Sequence, residues 1–141
     1  MTAGRKLVEP RGYALVSFAA TAMVVAGIGL AWTGLLLAAA GAVLSVIELK
    51  ELQRLNPWLM PDNPEDSPLM DPMPRRIGWA GLLTTGLGSA AALAAAQTTG
   101  EPLLVLGPAA IAGATTLVFN AQMRRALEAG RTAPPPGDAP D

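Results

Sequence analysis

Glu48 and Glu101 are the only charged residues inside two long apolar stretches, residues 13–49 and 77–121. A carboxylate at membrane depth is costly enough that a proton, ion or substrate is the usual reason for keeping it, which makes Glu48 the transport candidate of this sequence. It lies near the end of its stretch, however, with Lys50, Glu51 and Arg54 following, as an interfacial carboxylate would. A second set of acids, Asp62, Glu65, Asp66 and Asp71, lies between the stretches. Such residues hold Mg²⁺ or Ca²⁺ when their spacing suits, but these lack the glycine turn and register of an EF-hand, so solvated charge is expected and no metal site. The sequence contains no cysteine and no histidine. Disulfides, thiol nucleophiles, thiolate or imidazole metal sites and histidine acid/base chemistry are therefore excluded. Neither catalytic residues nor a cofactor site are expected, and the chain does not read as an enzyme.

The elements that would position these residues are membrane helices. Of 141 residues, 51% are apolar and 15% charged, and each apolar stretch is too long for one bilayer crossing and about right for two. The expected fold is all-α and integral to the membrane, with spans at about residues 13–32, 35–52, 77–97 and 103–121. They form two short-turn hairpins, residues 13–55 and 77–129, joined by a loop over residues 56–76. The turns fall at Thr33-Gly34 and Thr98-Thr99-Gly100-Glu101-Pro102, and Pro57 stops the second helix. The first apolar run is too long for the core of a signal peptide and reads as an anchor. Pro108, six residues into the expected fourth span, should kink it by removing the bond to the Leu104 carbonyl.

All ten Lys and Arg residues fall on one side of this arrangement: Arg5, Lys6, Arg11, Lys50, Arg54, Arg75, Arg76, Arg124, Arg125 and Arg131. That bias predicts cytoplasmic termini and a cytoplasmic central loop. High alanine, glycine and proline usage with arginine above lysine suggests a bacterial genome, hence a multi-pass protein of the cytoplasmic (inner) membrane. The N-terminal residues 1–12 precede the first span, and the proline-rich tail, residues 130–141, is expected to be disordered.

Small residues recur at helical spacing. On the third span Gly78, Gly86, Ala90 and Ala94 form one stripe and Gly81, Thr85 and Ser89 the next; the second span offers Gly34, Ala38 and Ala42, and Gly41 with Ser45, and the fourth Ala109 with Gly113, and Ala112 with Thr116. Such stripes let helix backbones approach closely. Two uses stand open: packing the four helices together, or contact with a second copy or another membrane protein. The central loop holds six prolines, so neither helix nor paired strand is expected through it, and it carries Trp58, Leu59, Met60, Leu69, Met70 and Met73. These apolar side chains need cover from lipid headgroups, from the protein's own helix ends or from a partner. The expected function is that of a small non-catalytic membrane protein, an accessory or assembly subunit of a larger complex or a homo-oligomer. Membrane lipids and a membrane-protein partner or self-association are expected, and no nucleic acid. The alternatives are a small transporter or channel component using Glu48 and the Pro108 kink and, third, a lipid-modifying membrane enzyme.

Overall fold

The structure, a computed structural model, describes residues 7–60, 62 and 67–132. The expected disordered tail falls, from residue 133 onward, outside the described residues, as do Glu65 and Asp66. Among the described residues the chain is all-helical, with four long helices: α1 (Tyr13–Gly29), α2 (Leu35–Leu55), α3 (Pro72–Thr99) and α4 (Leu106–Thr132). Three segments are long and apolar enough to cross a membrane, Ala31–Leu55, Pro72–Thr99 and Pro102–Ala129, whereas α1 is a shorter apolar helix.

Helix ends depart from the sequence reading for local reasons. At 17 residues α1 is about 26 Å long, because it stops at Gly29 and hands over to a 3₁₀ turn, Ala31–Gly34. Ala31 makes that stop in a left-handed conformation, φ 56°, a position glycine usually fills. The proline-rich segment is less extended than expected. Pro57–Leu59 and Pro68–Met70 form short 3₁₀ turns, and α3 begins inside the segment at Pro72. Each element opens on proline, where the missing N–H has no helical partner to lose. The same reasoning corrects the Pro108 kink. A 3₁₀ turn, Pro102–Val105, precedes α4, so Pro108 is its third residue, within the first turn, and removes no helical hydrogen bond.

The helices run alternately up and down, with α1 central: it packs against α2, α3 and α4, and α3 packs against α4. At the end carrying the two tight turns, Val25 and Ala26 of α1 meet Ala92 and Ala96 of α3, Val105, and Ala109 and Ala112 of α4. These small side chains set the close spacing. The charged end has its own cluster, in which Leu7, Leu52, Leu59 and Leu127 are buried and Tyr13, Trp58, Leu69 and Met123 pack around them. Ser67 joins the two loop turns by donating to the Leu59 carbonyl at 2.7 Å.

The approach to α1 is clamped there as well. Asn56, fully buried at the end of α2, accepts from the Val8 N–H at 2.8 Å and donates to the Val8 carbonyl at 2.7 Å and the Leu52 carbonyl at 2.8 Å. Glu128 accepts from the Leu7 N–H at 3.0 Å, and Arg124 pairs with Glu9.

Candidate functional site

The loop residues divide into two groups. Leu59 is 1% exposed, and Trp58 and Leu69 are half-buried against the helix ends, so the protein itself covers these three. Met60, Met70 and Met73 are 59%, 55% and 59% exposed, forming an apolar fringe at the charged end.

The small residues divide too. Gly34 of the 3₁₀ turn and Ala38 and Gly41 of α2 face α1. A Cβ built on Gly41 would lie 2.8 Å from the Ala20 carbonyl oxygen, and one on Gly27 would lie 2.7 Å from the Gly34 carbonyl oxygen and 2.8 Å from Ala38 Cα. Gly113 of α4 receives the Phe18 ring, 2.8 Å from where its Cβ would stand. On α3, Ser89, Ala92 and Ala96 are buried, but Gly86, Ala90 and Ala94 are exposed on the outer face, and nothing lies within 4 Å of a Cβ on Gly86. Gly78 and Gly81 face a cavity instead.

That cavity, about 330 Å³ and part-open at the surface, is lined at the charged end by Leu7, Leu52, Leu59 and Leu127. Its polar wall holds Glu9, Tyr13, Thr21, Gln53, Thr85, Thr116 and Asn120; Leu49, Leu52, Leu82, Phe119 and Met123 are among its apolar lining. Thr116 Oγ1 stands 2.9 Å from Thr21 Oγ1 and 3.0 Å from the Ala112 carbonyl oxygen. Each hydroxyl has one proton, so Thr116 donates to the carbonyl and accepts from Thr21. Among the described residues, Asn120 Nδ2 is buried with no hydrogen-bond partner.

A smaller cleft of about 180 Å³ shares Tyr13, Thr21, Thr116 and Asn120 with the cavity and adds Ser17, Ser45 and Glu48. Here the Ser17 hydroxyl donates to the Glu48 carboxylate across α1 and α2. Glu48 is thus half-buried and bonded to a neighbouring helix rather than freely solvated. The cleft brings one carboxylate, four hydroxyl side chains of serine and threonine, one phenol and one amide together, a set suited to holding a small polar species.

Gly27 and Asn56 were not singled out by the sequence. For Gly27 the available signal was a glycine seven residues from Gly34 across a turn too tight to hold the helices apart. For Asn56 it was a polar residue directly before the helix-stopping Pro57. Comparison with protein-family models, curated proteins and solved structures finds no match.

Proposed function

We propose that this chain is a non-catalytic, four-span protein of a bacterial inner membrane that works by helix contact within the bilayer, with a second copy of itself or as an accessory subunit of a larger complex. One observation carries the reading: the outer face of α3 presents Gly86, Ala90 and Ala94 with no side chain among the described residues over Gly86. A helix face turned to lipid gains from bulky apolar side chains, whereas small residues there gain only if another backbone comes close. Leu83 and Leu87 flank the stripe and are exposed, as ridges beside a groove. The fringe of Met60, Met70 and Met73 supports the same reading, since methionine adapts to partner surfaces of varied shape. Cytoplasmic termini are supported by Arg11, Lys50, Arg54, Arg75, Arg76, Arg124 and Arg125, all at one end of the bundle. Purification in mild detergent followed by mass measurement tests the proposal. A protein mass above that of one chain is expected, and reduction to one chain in Gly86→Leu with Ala90→Leu; a wild-type monomer overturns it.

The bond between Ser17 and Glu48 favours a second reading, a small transporter or channel component that uses the cleft. Glutamine keeps an acceptor for Ser17 but cannot carry the charge. On this reading Glu48→Gln lowers cation flux into proteoliposomes severalfold while leaving the thermal transition in place; unchanged flux, or no flux in the wild type, counts against it.

A further inference from the structure

A cleft of about 330 Å³ lies behind α3, part-open at the surface, since Leu82 in its wall is 66% exposed. Left empty, it would forfeit the contacts of every side chain around it. Apolar side chains make up most of its wall, so at membrane depth an acyl chain suits it better than water does. Leu7, Leu52, Leu59 and Leu127 line it at the charged end, and the exposed Leu49 and Leu82 in its wall leave it open toward the surface of the bundle. Beside it, a surface depression lined by Leu69, Gly78, Leu82 and Met123 shares those four residues with the cavity, which makes Gly78, lacking a side chain, the thin point of the wall. Arg75 and Trp79 complete the depression's rim, and both are exposed.

We propose that this cavity binds one anionic phospholipid of the surrounding bilayer, an acyl chain passing over Gly78 into the void and the phosphate resting beside Arg75. A guanidinium suits the phosphate, an interfacial tryptophan suits headgroup depth, and apolar walls suit the chain. The inference rests on the membrane reading above and is independent of the α3 outer stripe.

Native mass spectrometry of the full chain in detergent, supplied with dioleoylphosphatidylglycerol or dioleoylphosphatidylcholine, tests it. The wild type is expected to retain one phosphatidylglycerol per chain and less phosphatidylcholine. Gly81→Leu fills the cavity, since an added Cβ meets only Phe119 at 3.9 Å, and Gly78→Leu blocks the doorway, where nothing lies within 4 Å. Both should lose the adduct about tenfold or more and melt at higher temperature without lipid, which also reports folding. Arg75→Gln should remove the preference for phosphatidylglycerol, and Gly86→Leu should retain the lipid as the wild type does. Equal retention by Gly81→Leu, no adduct on the wild type, or equal retention of the two lipids by the wild type overturns the proposal. The number of protein chains in the same spectra reports on helix contact separately.

Discussion

Gly27→Ala is expected to destabilise the folded protein by about 3 kcal/mol or more, read as a lower midpoint in a denaturing-detergent titration or thermal transition. The new methyl would sit 2.7 Å from the Gly34 carbonyl oxygen and 2.8 Å from Ala38 Cα, and nearer still to the Ala38 nitrogen. Those are backbone atoms, which cannot swing aside as a side-chain tip can, so α1 and α2 must separate along their shared face. The same substitution at Gly86 meets nothing within 4 Å. Relieving a mid-helix glycine there should be neutral or stabilising by up to about 1 kcal/mol in the isolated chain. A large loss for Gly27→Ala beside a small or opposite change for Gly86→Ala separates a steric contact from a general effect of glycine in helices.

The second large effect is expected at Asn56. Replacing it with leucine keeps the approximate volume but removes both halves of its pairing with Val8 and the bond to the Leu52 carbonyl. Three hydrogen bonds at about 1 kcal/mol each, and the cost of Val8 groups left without their partner in a half-closed site, give a loss of about 3 kcal/mol. Hydrogen exchange gives a more specific readout than overall stability, because the Val8 amide should lose protection in Asn56→Leu. Asn56→Asp retains an acceptor for that amide but no donor for either carbonyl. It should therefore protect Val8 partly if left ionised, yet destabilise the charged end by burying a carboxylate. An Asn56→Leu protein with wild-type protection at Val8 would mean that the clamp does not hold the chain before α1.

The sequence announced helical hairpins because two apolar stretches with one carboxylate each, both too long for a single crossing, flank a polar segment, and the start of α2 at Leu35 followed from the shortness of the turn before it. Helix ends were less legible. The left-handed Ala31 is unusual for alanine, so no residue signal marks the early end of α1 at Gly29. Pro72 and Pro74 read as breakers, although proline in a first turn is a starter, and the distinction depends on where the helix begins. Small-residue spacing showed which α3 residues share a face but not which face turns inward, since Gly81, Thr85 and Ser89 are as small as Gly86, Ala90 and Ala94. The partners of the inward face, on α1 and α4, decide that. Glu48 was legible as a charge at the end of an apolar run; its bond to Ser17 depends on the register of α1 against α2, which the Gly27 and Gly34 contact sets. The cavity had no sequence signal beyond Gly78 and Gly81, because a void is defined by what several helices fail to fill.

If the outer face of α3 meets another protein helix, as proposed, groups placed on that face lie within covalent reach of the neighbour. The chain contains no cysteine, so single thiols can be placed at will. Photo-cross-linking through a benzophenone maleimide attached to Gly86→Cys or Ala90→Cys in native membranes should give a covalent species larger than one chain, a homodimer or an adduct with a second protein, because the photo-activated ketone inserts into C–H bonds and needs no thiol on the neighbour. Val43→Cys on α2 and Ile111→Cys on α4, both exposed on other faces, should stay uncross-linked. Single chains at all four positions, or equal cross-linking at all four, would contradict the claim.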